Sequence, residues 1–334
     1  MMASFLTSWW RPGARARRDL LQVDSTQAHG SAGVYASLPE LVALEHRLRQ
    51  FPGLAQRVPS QSQLAGQHRA GVRGRSLDFE ELREYVPGDD PRAIDWRVTA
   101  RRGVAHVRVY NEERDRCHWL IVDQRRSMFF GLRRALRSVV AAQASALLAW
   151  KALHEGDRIA GFVFGDEGCD EIAPRRGRRS LLQLLSRIVE RNQSLQAGPS
   201  APAAEGQLNE ALTRLNARAP RKCRVTVLSD FCGFTERTRT LLADLARFNE
   251  VLLLPFWDPA GSVAHTRRVV SDGVLQIEVD LSDKPVRERL AALAESRQQT
   301  LLGLREQLGL NVRPLVTGED VVTQLGQLFG VHRR

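Results

Sequence analysis

From residue 118 onward the chain alternates between two kinds of apolar pattern. Residues 118–123 form a continuous apolar run ending in an aspartate, and Leu136, Val139, Val140, Gln143, Ala144, Leu147 and Leu148 then recur at helical spacing. Further strand-length runs cover 158–164, 225–230 and 251–257, with helical stripes between them at Leu181, Leu184, Leu185 and Ile188 and at Leu241, Leu242, Leu245 and Phe248. Strand-then-helix alternation requires right-handed crossovers, so the pattern predicts an α/β fold with a mostly parallel sheet flanked by helices. Ser271-Asp272-Gly273 marks a hairpin that interrupts it. The last part reads as a helix over 284–308, a strand near 312–316 and a closing helix over 319–329.

Upstream the pattern is thinner. Ser37 and Glu40 frame a capping box, and Leu41, Leu44, Leu48 and Phe51 continue at helical spacing, which predicts a helix over 38–51. Residues 52–70 read as a polar linker, and Val107 and Val109 alternate in a strand expected beside the main sheet. The domain organisation expected is a disordered or weakly ordered tail over 1–36, a small helix and strand extension over 37–116, and the main domain over 117–334. The tail sets Phe5, Leu6, Trp9 and Trp10 before Arg11, Arg15, Arg17 and Arg18. Its alternative reading is a peripheral contact with an anionic membrane surface.

Composition narrows the function classes. A chain of 334 residues with 43% hydrophobic content buries a full core. The net charge of +11 suggests nucleic acid, but only three of the 49 basic residues are lysines (Lys151, Lys222 and Lys284), and the arginines scatter through Ala- and Leu-rich helices. Such usage is a compositional bias and predicts no nucleic-acid partner. None of the lysines stands in a Gly-Lys-Ser/Thr context, which excludes a Walker A loop. Cys117, Cys169, Cys223 and Cys232 lack metal-ligand spacing and read as core thiols. With no apolar run of the roughly 18 residues a membrane span needs and no signal-peptide pattern, the expected location is cytoplasmic.

Two places carry candidate chemistry. Asp123 and Asp230 each close an apolar run, so both are expected at one sheet edge on neighbouring strands. There they hold a hard divalent cation, act as an acid/base pair, or each cap a following helix. The other is Pro87-Gly88-Asp89-Asp90-Pro91 with Asp95 and Trp96 after it. One reading is a structural clasp, with the indole packed under an acidic turn; the other is a partner-reading surface anchored by Trp96.

Asp123, Ser127 and Met128, the Ala-rich helix after them and Leu228-Ser229-Asp230-Phe231 resemble a von Willebrand factor A domain. The metal-ion-dependent adhesion site of that family begins Asp-x-Ser-x-Ser. Asp123 and Ser127 match its outer positions and Asp230 its later aspartate, whereas Arg125 replaces the middle serine and Gly206 and Gln207 stand where a threonine is expected. The resemblance implies that a metal, if bound, is held by Asp123, Ser127 and Asp230. Magnesium gains nothing from a guanidinium at a ligand position, so the site is expected to be degenerate and metal-free. Arg125 then either lies between Asp123 and Asp230 and neutralises both, or points into solvent.

The block from Gly74 to Trp96, with Ala100 and Arg101, resembles the signature of domain-of-unknown-function family 58, and that likeness extends over roughly 40–334. It implies association with a MoxR-type AAA+ ATPase. The function expected is therefore a non-enzymatic interaction protein that partners such an ATPase and an unknown protein client. Two alternatives are a metal-dependent hydrolase using Asp123, Asp230 and the Asp89, Asp90 and Asp95 cluster, and arginine-driven nucleic-acid binding. Neither a G-x-S-x-G elbow nor an H-E-x-x-H helix occurs in the chain.

Overall fold

The computed structural model describes residues 33–49, 77–86, 91–112, 116–131, 135–196, 206–218, 221–257, 267–271, 276–280 and 284–329. The chain divides into residues 1–31 and 32–334, and every described residue belongs to the second unit. Its centre is a sheet of seven strands: β3 (Cys117–Asp123), β4 (Arg158–Gly165), β5 (Gly168–Arg175), β6 (Arg224–Ser229), β7 (Glu250–Trp257), β10 (Asn311–Val312) and β11 (Leu315–Val316). The hydrogen-bonded order is β10-β7-β6-β3-β4-β5, with β11 also on β7. All pairs are parallel except β4 with β5.

Helices cover both faces, which is why the strands read as unbroken apolar runs. Leu120 and Val122 of β3 enter a core shared with α1 (Leu38–Arg49), α3 (Arg137–Glu155), α4 (Arg178–Gln193) and α8 (Val321–Phe329). Trp119 and Ile121 point the other way, toward α5 (Gln207–Arg218), α6 (Glu236–Ala246) and α7 (Lys284–Leu308). Burial of α3 is nearly complete from Ser138 to Ala152, because α1, α4 and α8 enclose the sides that the sheet leaves open. Its alanines permit that close approach. Gly161 does the same in β4, where an added Cβ would lie 2.6 Å from the Leu120 carbonyl oxygen and 3.0 Å from Leu184.

Several sequence expectations are met or corrected here. The helix over 284–308 matches α7, and the strand near 312–316 divides into β10 and β11, because Pro314 between them has no N–H to give the ladder. The closing helix begins at Val321 instead of 319, since Asp320 accepts from the Thr323 amide as an N-cap. β5 has no counterpart in the sequence reading: as an edge strand it is half exposed and lacks a clean apolar alternation. Around Ser271 a hairpin does form, β8 (Arg267–Ser271) with β9 (Gln276–Asp280), while Asp272 and Gly273 lie outside the described residues.

The strand expected beside the main sheet is corrected. β2 (His106–Glu112) pairs antiparallel with β1 (Leu77–Glu84) in a separate two-stranded ribbon. Between them lies α2 (Trp96–Arg102). The helix predicted over 38–51 is α1, ending at Arg49; Phe51 and the 52–70 linker lie outside the described residues. Tyr35 and Ala36, assigned to the tail from sequence, are fastened to the main domain: the Tyr35 hydroxyl donates to the Leu195 carbonyl, and the Ala36 amide donates to the Asn192 side chain at 2.7 Å.

Candidate functional site

Counted along the chain from β3, the strands lie in the order 3-2-1-4-5-6, and the order reverses between β3 and β6. In open α/β sheets the crevice beyond the carboxyl ends at such a switch point is where ligands bind. Asp123 is the last residue of β3, and Asp230 directly follows β6, its parallel neighbour. Between the two carboxylates lies Arg125. Its Nε is 3.0 and 3.1 Å from the two Asp123 oxygens, one Nη is 2.6 Å from Asp123 Oδ2 and 3.4 Å from Asp230 Oδ1, and the other Nη donates to the Cys232 carbonyl at 3.0 Å. The guanidinium stacks over Phe164, with 5.4 Å to the ring centroid. Of the two placements left open by the sequence, solvent is excluded, since only 3% of the Arg125 side chain is exposed.

The backbone aims these groups. The Arg125 amide donates to Asp123 Oδ1, closing the turn after β3. Ser229 donates its hydroxyl to Asp123 Oδ2 at 2.6 Å and accepts from the Phe231 amide, and Asp230 accepts from the Cys232 amide. These two side-chain brackets hold Phe231 in the left-handed region, at φ 52, with its ring buried. Arg137, at the start of α3, places an Nη 4.0 Å from Asp230. Gln124 turns away from the carboxylates, donating to the Ser138 carbonyl and accepting from Asn192, which also holds Ala36. Ser127 sits in a 3-10 turn and Gln207 opens α5; Ser127 Oγ and Gln207 Oε1 are buried without a hydrogen-bond partner among the described residues. Neither joins the aspartates.

The second candidate block separates from the first. Asp95 is the N-cap of α2 and accepts from the Arg97 and Val98 amides, while its own amide donates to the His106 carbonyl. Trp96 is 68% exposed, which corrects the clasp reading: the first helical position carries the indole outward, so it cannot pack beneath an acidic turn. Pro87, Gly88, Asp89 and Asp90 lie outside the described residues, and Pro91 begins a 3-10 turn. Among the described residues no group of three or more His, Cys, Asp and Glu side chains could hold a metal ion.

The family model described as Protein of unknown function DUF58 matches residues 81–300, more than half of the chain. The chain belongs to DUF58. Curated relatives include the uncharacterized proteins Rv1480 of Mycobacterium tuberculosis and Mb1516 of Mycobacterium bovis, each 32% identical over 197 residues, or 59% of this chain. The chain spans 60% of the length of these relatives. Similar solved structures include BatB of Bacteroides thetaiotaomicron, at 12% identity and a TM-score of 0.37 over 64% of this chain and 96% of that one. A von Willebrand factor type A protein of Catenulispora acidiphila is similar at 15% identity and a TM-score of 0.35, over 68% of this chain and 43% of that one.

In this DUF58 protein the site's electrostatics follow from burial and from its arginines, Arg125 first. Burial pushes the Asp123 carboxyl up, against the pull of Arg125 and the Ser229 hydroxyl. For Asp230, burial works the same way but is outweighed by Arg125, Arg137 and the Cys232 amide, which hold it below the usual carboxylate range. Arg125 loses solvation yet is driven upward by Asp123 and Asp230, so it stays charged. The assembly is a closed knot in which both Asp123 oxygens and Asp230 Oδ1 already have donors. Sequence reasoning placed Asp123, Arg125 and Asp230 but assigned no role to Ser229, although Leu228-Ser229-Asp230 follows an apolar run and its hydroxyl is the nearest small donor.

Proposed function

We propose that this DUF58 protein is a non-enzymatic interaction protein of the cytoplasm that partners a MoxR-type AAA+ ATPase, and that its adhesion-like site works without metal. The observation that carries the reading is Arg125, whose guanidinium lies 2.6 Å from Asp123 Oδ2 in the crevice where this sheet order binds ligands. A magnesium ion needs near-octahedral oxygen ligands about 2.0–2.1 Å away, and the residues around Asp123 do not fit it: its oxygens are fully buried and taken by Arg125 and Ser229. The same contacts occupy both oxygens of Asp123, which supports a role for it other than general base. A cleft lined by Gln124, Asp166 and Arg191 is about 120 Å³, below the roughly 300–1,000 Å³ of small-molecule sites. Support for the ATPase as partner comes from membership of DUF58 and the association which that resemblance implies. No helix among the described residues is long and apolar enough to cross a membrane.

Calorimetry with the purified protein and the MoxR-type ATPase of the same genome tests both parts. Direct binding that survives chelation of divalent cations is expected, as is no heat of binding with magnesium alone. Arg125→Ser should give the protein a magnesium-dependent rise in melting temperature that the wild type lacks. Magnesium binding by the wild type that Asp123→Ala abolishes contradicts the metal-free reading, and failure to bind the ATPase removes the partnership.

A further inference from the structure

Exposed large apolar side chains are few among the described residues, and they are unevenly placed. Of the five, Val86, Trp96 and Val104 lie within one short stretch, at 56%, 68% and 50% exposure. The Tyr85 amide donates to the Ala105 carbonyl and Glu84 pairs with His106, so Val86 and Val104 oppose each other at the end of the β1–β2 ribbon. α2 packs on that ribbon through its other side: the Thr99 hydroxyl accepts from the His106 amide, and Ile94 just before the helix bridges to Val107. Its outward side carries Trp96, Arg97, Ala100 and Arg101, all exposed and spaced as one helical face. Neither Arg97 nor Arg101 carries an ion pair among the described residues.

We infer that the outer face of α2, with Val86 and Val104, is a docking surface for an acidic protein segment that sets an apolar side chain against Trp96 and carboxylates against Arg97 and Arg101. Trp and Arg are the residue types that dominate protein interface energetics, and a 68% exposed indole on a capped helix is displayed at little ordering cost. Two arginines at a spacing of four match two carboxylates, whereas a nucleic-acid groove needs a longer basic stripe and has no use for the paired valines. The surface stands on its own residues; that its occupant belongs to the ATPase rests on the function proposed above.

The test uses the full chain and fluorescence anisotropy of a labelled peptide alternating leucine and glutamate. A lysine-for-glutamate peptide, a DNA duplex and phosphatidylserine vesicles serve as comparison arms. Expected is salt-sensitive binding of the acidic peptide, weakened about tenfold or more by Trp96→Ala and by Arg97→Glu with Arg101→Glu, with melting unchanged in both variants. No binding of the acidic peptide, equal binding of the basic one, or tighter binding of duplex or vesicles overturns the inference. The same variants are then titrated with the ATPase. ATPase binding that ignores them sinks the surface and keeps the partnership, while peptide binding without any ATPase binding does the reverse.

Discussion

At its carboxyl edge the sheet buries Asp123, Arg125 and Asp230; at its amino edge it buries His118, Lys151, Glu155 and Asp157 around Arg224. The two clusters differ in how they close. In the first, one guanidinium serves two carboxylates and no side chain is more than 4% exposed. In the second, Glu155 lies between Lys151 at 2.9 Å and Arg224, and Arg224 also reaches Asp157 at 3.6 Å and the exposed Glu250 at 3.7 Å. At the carboxyl edge Arg125 alone reaches both carboxylates, with Arg137 4.0 Å from Asp230, whereas the amino-edge network shares its charge over several groups. The first occupies the place where this fold binds ligands; the second lies at the opposite end, where burial serves stability.

Removing Arg125 should separate the two edges most sharply. Arg125→Ala leaves buried Asp123 without its cation and Asp230 with only Arg137 at 4.0 Å, and should cost on the order of 3 to 5 kcal/mol in denaturant unfolding. A loss below about 1 kcal/mol would mean that water or another arginine replaces it, and the reliance on Arg125 would be wrong. At the other edge, Glu155→Gln should cost less, about 2 kcal/mol, because Arg224 keeps Asp157 and Glu250. If Glu155→Gln proves the more damaging of the two, the contrast is reversed.

Acid gives the most selective probe. Burial, with Arg224 beside it, holds His118 down to about 3, and its Nε2 meets the Thr226 hydroxyl at 2.9 Å. An unfolded chain takes that proton near 6.5, so between 6.5 and 3 the unfolded state binds more protons and stability falls as pH falls. Above 6.5 this penalty is absent. Lowering the pH from about 6.5 to 5 should cost on the order of 2 kcal/mol, and His118→Gln should flatten that part of the profile. Asp230 and Glu155 are both held below the usual range, so their contribution is present above it and is lost only at lower pH. In the His118→Gln variant that later loss should remain, and an unchanged slope between about 6.5 and 5 would show that His118 does not carry it.

The carboxyl edge was the more legible of the two. Asp123 and Asp230 ended apolar runs, and two residues after Asp123 this chain places an arginine where the A-domain pattern places a serine. Nothing comparable marks the amino edge, where Glu155 closes a helix and Arg224 opens a strand 69 residues later. Their meeting depends on β3 and β6 being neighbours, and unlike the two aspartates neither residue ends an apolar run that would point to it.

The periodicity of the chain by itself determined the alternation of strands and helices, the parallel sheet and the ends of most elements, because side-chain spacing is fixed by local backbone geometry. It also set the composition of the arginine knot. Only the tertiary structure decided that Arg125 turns inward to span two strands, that the edge strand β5 completes the sheet against β4, and that the β1–β2 ribbon stays apart from it. It alone decided that Trp96 faces solvent. Each of these turns on which surfaces meet across long sequence separations, and an aromatic or an arginine has the same local propensities whether its face is covered or bare.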